Sequence, residues 1–208
     1  LFTQPNWYVT LKDRTNRSNI TRILSNAYAE VALLKDLKFK STISIDMGNS
    51  NNMVFNPTNT GTAFGPPPQT TATGSYGTSF YYSWVTENTL NFNKTVANNH
   101  HFELLAGYSS QKSSQVSSSL NGSQFPNNTV PWIAAAAVTS GSSSISEWSL
   151  LSMYSRLNYN FKGKYLLSAT VRRDGSSRFG INKQWGSFPS VSAGWIVSDE
   201  AFARLAAD

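Results

Sequence analysis

The sequence predicts an all-β fold of antiparallel, up-and-down strands, and three observations lead to that prediction. Apolar and polar side chains alternate over long segments, which is the side-chain period of a β-strand. The connections between these segments alternate between short turns and long polar loops. Charged residues make up only 13% of the 208 residues, about half the usual quarter, and aromatic residues also reach 13%. Together these features are typical of a sheet that has lipid on one side and water on the other.

The alternation is clearest in the stretch 154–202. Its first strand places Leu157 and Tyr159 on one face, and Arg156 and Asn158 on the other. The next strand repeats the pattern, with an apolar face of Tyr165, Leu167, Ala169 and Val171 and a polar face that includes Arg172 and Asp174. Because successive side chains point to opposite faces, each strand has one apolar face and one charged face.

About eight segments of the chain have strand character. They lie at about 6–12, 22–34, 37–46, 80–92, 101–112, 148–160, 164–174 and 185–197. Many of them contain roughly ten residues or more, which is close to the 9–11 that a tilted strand needs to cross a bilayer. This length favours a membrane sheet over an ordinary globular one, whose strands are shorter.

The connections differ in length in a regular way. Those at 34–36, 93–99 and 161–164 are short, whereas 47–79, 113–147 and 175–184 are long and rich in Gly, Pro, Ser and Asn. Long loops without structure of their own are uncommon in compact soluble domains. In outer-membrane barrels the turns facing the periplasm are short and the extracellular loops are longer, so we expect the three long loops to be extracellular. Residues 134–137 are expected to form a short helix within the second of them.

Eight strands are enough to close a small barrel. The predicted loops are nevertheless large for so small a barrel, and the pattern shows no closure. No stretch resembles a signal peptide at the start of the chain. We therefore expect the chain to be a slice of a larger barrel.

Several functional classes are disfavoured by composition. The net charge is +6, but the Lys and Arg residues are scattered and form neither a basic helix nor a signature of nucleic-acid binding. The chain has no Cys, so it can form no disulfide and no thiolate metal site. The two histidines, His100 and His101, are adjacent and would point to opposite faces of a strand. We therefore expect no nucleic-acid partner, no metal and no cofactor.

Four motifs follow one another closely in the second half of the chain. They are 156–160 (RLNYN), 164–167 (KYLL), 173–180 (RDGSSRFG) and 188–195 (FPSVSAGW). In this order and at this spacing they resemble the SusC/RagA family of TonB-dependent outer-membrane transporters. The segments 87–92 (ENTLNF) and 26–30 (NAYAE) also look like family segments, and the similarity is densest over about 80–202.

The resemblance implies an outer-membrane barrel of 22 strands, of which residues 1–208 would form roughly a third. The signal peptide, the plug domain and the last strands of such a transporter would lie outside this sequence. Members of the family import oligosaccharides, and in some cases peptides. They take energy through TonB, which contacts the N-terminal region, and they usually work with a SusD-like lipoprotein. The resemblance therefore implies a transporter rather than an enzyme.

Two groups of residues are candidates for function. The first group comprises polar residues expected to face a water-filled lumen: Arg156, Asn158, Arg172 and Asp174. Their simpler role is to pair across strands and keep the interior wetted. The second group comprises aromatic residues expected in loops, where they could stack on a sugar ring or pack the loop: Tyr76, Tyr81, Phe125 and Trp132. Tyr159, Phe161 and Tyr165 surround a short turn and are expected to belong to an interfacial girdle.

Two other interpretations remain open. A soluble β-sandwich that binds carbohydrate would show similar alternation, with its apolar faces packed against each other. A glycoside-active enzyme would need two carboxylates in one cleft, and Glu87 and Glu103 are the pair flanking a predicted hairpin.

Overall fold

The computed structural model describes residues 7–60, 69–200 and 202, and 72% of these described residues are in strands. A short helix, α1 (Trp7–Asp13), comes first. Seven strands follow: β1 (Thr15–Leu34), β2 (Leu37–Asn56), β3 (Thr73–Val96), β4 (His100–Ser123), β5 (Val138–Phe161), β6 (Tyr165–Ser176) and β7 (Trp185–Trp195). Two single-turn 3₁₀ helices lie at Ile133–Ala135 and Val197–Asp199.

The seven strands form one open antiparallel sheet in which every strand pairs with its neighbours in sequence. This up-and-down order confirms the predicted fold class. Tight turns connect β3 to β4 and β5 to β6, and in each turn two successive residues adopt a left-handed backbone: Ala97 and Asn98, then Lys162 and Gly163. Such turns match the right-handed twist of the flanking strands and allow hairpins to be joined with few residues.

The register of β5, β6 and β7 separates apolar from polar side chains as the alternation predicts. Tyr159 pairs with Leu167, which pairs with Ala193, so these three side chains share one face. Asn158 pairs with Ser168, which pairs with Ser192, on the opposite face. Directly paired residues of antiparallel strands point to the same side, so a two-faced sheet follows from the register.

The chain divides into two compact units. The first comprises Leu1–Ile23, Asp46–Tyr82 and Ser114–Glu147, and the second comprises Leu24–Ile45, Ser83–Ser113 and Trp148–Asp208. Within the first unit, Phe55 is only 1% exposed, and its ring meets that of Phe125 edge-on at 5.1 Å between centroids. Among the described residues of that unit, Phe55 and Ala72 are buried apolar residues.

Two predictions about the strands need correction. The segment at 6–12, predicted as a strand, forms a helix over Trp7–Asp13. Its apolar residues Trp7 and Leu11 are four apart, which is helical spacing rather than alternation. The helix explains why the sheet has seven strands and not eight.

The other correction concerns the loops. The predicted loop 47–79 shrinks to 57–72, and 113–147 shrinks to 124–137, because β2, β3, β4 and β5 are 20 to 24 residues long. The third predicted loop shortens only at its start, since β6 ends at Ser176. The short helix expected at 134–137 is present at Ile133–Ala135. The Pro-rich run at 65–68 lies outside the described residues.

Hydroxyl and amide side chains explain why residues that suggested loops form strands. In the first unit, Ser117 Oγ donates to Ser79 Oγ (3.2 Å), and Gln115 Nε2 donates to the same oxygen (3.1 Å). Ser119 Oγ and Ser142 Oγ are 2.9 Å apart. Cross-strand bonds of this kind stabilise a sheet without apolar side chains. In the part of the chain that the structure describes, no helix has the length and apolar character of a membrane span.

Candidate functional site

The polar face of the second unit contains the residues predicted to line a lumen. Arg172 is the best connected of them. Its Nε donates to both carboxylate oxygens of Asp174, at 2.8 and 2.9 Å, and its Nη2 donates to the hydroxyl of Ser152 at 3.2 Å. Asp174 lies two residues after Arg172, so both side chains leave the same face of β6. The predicted Arg172 and Asp174 therefore form one ion pair, and β5 contributes a third group to it.

A tyrosine extends this cluster toward β3. The Arg172 guanidinium lies 5.9 Å from the ring centroid of Tyr154, and the Tyr154 hydroxyl donates to Glu87 Oε1. The Tyr154 ring crosses β4 at Gly107, where a Cβ atom would be 2.2 Å from the ring. A glycine is needed at that point of close approach, because any side chain would collide with the ring.

A second polar cluster lies on the same face. Asn158 Nδ2 donates to Glu103 Oε2 at 3.2 Å, and Ser168 Oγ donates to Asn158 Oδ1 at 2.8 Å. His101 Nε2 is 3.3 Å from Glu103 Oε1, and its Nδ1 is 3.0 Å from Thr95 Oγ1. Side-chain contacts therefore connect β3 to β4, β4 to β5 and β5 to β6 on this face.

A cavity of about 430 Å³ opens beside this cluster. Its polar lining includes His101, Glu103, Asn158, Asn160 and Ser168. Asn160 Oδ1 is buried and has no hydrogen-bond partner among the described residues, so it is an acceptor available to a donor group. Arg156, the fourth predicted lumen residue, is exposed and lies opposite Thr170.

The predicted substrate-contact aromatics lie in the first unit and do not all meet. Tyr76 and Trp132 line a cavity of 250 Å³, with Met53, Leu120, Pro131, Ile133 and Ala134. Trp132 is 62% exposed, so its ring is open to a ligand. Tyr81 is half-buried in β3 and is not among the residues that line this cavity.

Phe125 has a packing role. Its ring contacts that of Phe55, and a Cβ atom at Gly74 would lie 3.0 Å from it. The expectation that all four aromatics lie in loops is also wrong for Tyr76 and Tyr81, because β3 begins at Thr73. Tyr76 and Trp132 are thus the pair that the structure places together.

Sequence reasoning missed some members of the polar clusters. Tyr154 has the same parity in β5 as Arg156 and Asn158, so alternation alone places it on the polar face. Glu87 and Glu103 drew attention only as candidate catalytic carboxylates. Each is engaged by a side chain of β5 instead, Glu87 by Tyr154 and Glu103 by Asn158.

Aromatic side chains form a row beside the β5–β6 turn. Ring centroids are 4.7 Å apart for His100 and Phe161, 6.0 Å for Phe161 and Tyr165, and 6.4 Å for Tyr165 and Trp195. The sequence predicted that aromatics would gather at this turn. Rows of this kind are typical of the interface between a membrane and water.

A carboxylate after β7 ties this row to the end of the sheet. Glu200 accepts hydrogen bonds from the Tyr165 hydroxyl (2.7 Å), Trp195 Nε1 (3.2 Å) and Lys164 Nζ (3.1 Å). These donors, Tyr165 foremost, hold the pKa of Glu200 below its ordinary value.

The opposite, apolar face of the sheet is open. Leu167 is 45% exposed and Val191 is 75% exposed. In a β-sandwich such side chains would be covered by a second sheet. The described residues form a single sheet, which disfavours the sandwich interpretation.

Comparison with known proteins agrees with this geometry. No family model matches the chain. TonB-dependent receptor P39 of Formosa agariphila is 33% identical over 180 residues, which are 85% of this chain and 17% of the relative. SusC, a TonB-dependent receptor of Bacteroides thetaiotaomicron, is 46% identical over 55 residues, which are 26% of this chain and 6% of SusC. The RagAB peptide transporter structure aligns with a TM-score of 0.85 and 20% identity, covering 95% of this chain and 22% of that one.

The chain belongs with the SusC/RagA-like TonB-dependent receptors. It spans 17% of receptor P39 and 18% of a second curated relative, receptor P3 of the same organism. The likeness to RagAB extends to the fold, in which seven antiparallel strands match part of a large barrel. The resemblance predicted from the four motifs is confirmed.

Proposed function

We propose that this SusC/RagA-like chain forms part of the wall of an outer-membrane receptor that imports nutrients with energy supplied through TonB. The observation that carries the proposal is the two-faced sheet. One face exposes apolar side chains such as Leu167. On the other face, hydrogen bonds connect Glu103, Asn158 and Ser168. A wall between lipid and a wet lumen requires these two surfaces.

The cargo we propose is an oligosaccharide or a peptide. The structural relative RagAB is described as a peptide transporter, and SusC lies among the sequence relatives. Tyr76 and Trp132 supply aromatic surface in one cavity, which suits stacking on a sugar ring or on an apolar peptide side chain. A SusD-like lipoprotein is the proposed partner, and TonB is proposed to act on a region outside these residues.

The lumen-facing role of Arg156, Asn158, Arg172 and Asp174 is part of the proposal. The ion pair of Arg172 with Asp174 and the amide contacts of Asn158 support a wall that is stabilised by its own polar groups. Arg156 has no such engagement in the described contacts and is therefore the best candidate of the four for a direct contact with cargo. The loops at 57–72, 124–137 and 177–184 are proposed to face the outside of the cell.

The proposal is tested by locating the native protein. An antibody against this segment is applied to fractionated cells, and location and apparent mass are read together. A band in the outer-membrane fraction with a mass several times 22.9 kDa is expected. A soluble band near 22.9 kDa would refute the proposal and favour a binding module.

Cargo import is tested in the full-length receptor. Trp132→Ala is expected to weaken uptake of the receptor's cargo at low concentration, and Phe125→Leu serves as a matched control because Phe125 packs inward against Phe55. Equal uptake by wild type and Trp132→Ala would remove this cavity from the cargo path.

A further inference from the structure

We propose that the apolar face of the second unit holds a binding site for a phosphorylated glycolipid of the outer leaflet, with Arg173 as the phosphate ligand. This inference rests on the proposed outer-membrane function. It begins from the position of Arg173, which is odd-numbered in β6 and therefore shares a face with Leu167, Ala169 and Val171. A cation on the apolar face of a membrane strand is costly unless it reaches a polar partner.

The surroundings of Arg173 point to what that partner is. The guanidinium lies 5.1 Å from the ring centroid of Trp185 and is exposed. Within the residues that the structure describes, no carboxylate forms an ion pair with it. Its neighbour Arg172, on the other face, is paired with Asp174. Arg173 is therefore a cation that stacks on Trp185, and no described residue forms a hydrogen bond or an ion pair with its guanidinium.

An apolar groove leads to this cation. The groove has a volume of about 480 Å³, and its lining includes Phe39, Leu90, Ala106, Tyr108, Met153 and Val171, with Arg173 at its margin. The small side chain of Ala106 is part of this lining. Carbon chains fit such a surface, and the planar guanidinium suits the two oxygens of a phosphate. An anionic lipid has both the carbon chains and the phosphate in one molecule.

The location of Arg173 along its strand indicates which membrane leaflet the bound lipid would come from. It lies three residues before the end of β6 at Ser176, beside the connection 177–184, which we propose to be extracellular. The opposite end of β6 begins at Tyr165, next to the tight turn at Lys162 and Gly163. The phosphate group within reach is therefore that of an outer-leaflet glycolipid rather than that of an inner-leaflet phospholipid.

The test uses the full-length receptor, purified from its membrane, delipidated and exposed to defined lipids. The probes are lipid A, dephosphorylated lipid A and phosphatidylglycerol, and retained lipid is quantified by mass spectrometry. Arg173→Gln is expected to lower lipid A retention about tenfold, the effect of losing a hydrogen bond to a charged group. Arg173→Lys should retain more lipid A than Arg173→Gln does, because it keeps the positive charge. Wild-type receptor should retain dephosphorylated lipid A as weakly as Arg173→Gln retains lipid A.

Two further variants make the result decisive. Lys162→Gln removes one exposed charge at the tight turn beyond the other end of β6 and should leave lipid A retention unchanged. Ala106→Trp fills the groove and should lower retention while Arg173 is intact. Equal lipid A retention by wild type and Arg173→Gln overturns the inference, as does phosphatidylglycerol binding that is as tight and as dependent on Arg173 as lipid A binding.

Failure of this inference differs from failure of the proposed function. If the receptor is found in the outer membrane but its lipid A retention does not depend on Arg173, only the lipid site is contradicted. A soluble protein contradicts the outer-membrane function itself, and the lipid site with it.

Discussion

The indole ring of Trp185 lies directly against Gly175, its cross-strand partner in β6. A Cβ atom added at Gly175 would be 2.9 Å from three carbons of the ring, a separation that real Cβ atoms do not reach. Gly175 is buried, and the guanidinium of Arg173, two residues earlier on the same face, lies 5.1 Å from the centroid of the Trp185 ring. Because Gly175 has no side chain, it leaves room on β6 for the indole of Trp185 in β7.

Gly175→Ala should therefore displace Trp185 and destabilise the β6–β7 pair by about 1–3 kcal/mol, the usual cost of overpacking. The unfolding of the refolded full-length receptor in urea, followed by tryptophan fluorescence, measures this. Gly194→Ala is the matched control, since its Cβ would meet Leu166 Cβ at an ordinary 3.6 Å. Equal midpoints for the two variants would contradict the close contact.

Val171→Arg and Leu167→Arg test which face meets lipid. Leu167 lies only two residues from Tyr165 of the aromatic row, where the cost of an arginine is small, so Val171→Arg, six residues from Tyr165 on the same open face, is compared with it. Val171→Arg should cost roughly 2–4 kcal/mol if it lies near the bilayer midplane, and more than Leu167→Arg. Ser190→Arg, on the polar face, is the control and should cost little. Folding free energies of the whole barrel in lipid vesicles provide the comparison, and a Val171→Arg cost near zero would count against the assigned orientation.

Asn158 bridges Glu103 and Ser168, so its replacement should disturb both. Asn158→Ala removes both hydrogen bonds, and because the Glu103 side chain is 46% exposed and can bond water instead, the substitution should cost about 0.5–1.5 kcal/mol. Asn158→Asp, which has nearly the same shape, should cost more at neutral pH because it places a second carboxylate beside that of Glu103. Urea midpoints of the two variants decide the order, and the reverse order would refute an electrostatic role for this contact.

The Glu200 cluster should make stability depend on pH in the acid range. Because folding lowers the pKa of Glu200 below its ordinary 4.5, its contribution to stability is complete above pH 4.5 and is lost as pH falls through the lowered pKa. Glu200→Gln should therefore flatten the decline in unfolding midpoint below pH 4.5. An unchanged pH profile in this variant would show that other carboxylates control the acid transition.

Cysteine labelling can separate the two faces directly, since the chain has no Cys. In cells that express a full-length receptor without other cysteines, Ser168→Cys should react with a small water-soluble maleimide, whereas Leu167→Cys should react slowly because lipid covers it. The two positions are adjacent in β6, so depth is matched. Similar labelling rates at both positions would contradict a lipid–water boundary at this sheet.

The alternation of apolar and polar residues was enough to predict much of this fold. The apolar set of Leu157, Tyr159 and Leu167 and the polar set of Arg172 and Asp174 appear on the predicted faces, since a period of two needs no long-range information. The tight turn at 161–164 was also readable, because Lys162-Gly163 tolerates a left-handed backbone. The helix at Trp7–Asp13 was not predicted, since seven residues are too few to distinguish a helical period from strand alternation.

The extent of the strands and the membership of the clusters were decided only by the tertiary structure. Segments rich in Ser, Asn and Gly become strand where a neighbouring strand supplies backbone and hydroxyl partners, as Ser79 and Ser117 do for each other. Alternation, turn spacing and the four motifs were enough to predict the two faces, the order of hairpins and the receptor family. Which polar residues meet, such as Glu87 with Tyr154 across 67 positions, depended on register, because cross-strand contacts arise from pairing rather than from local pattern.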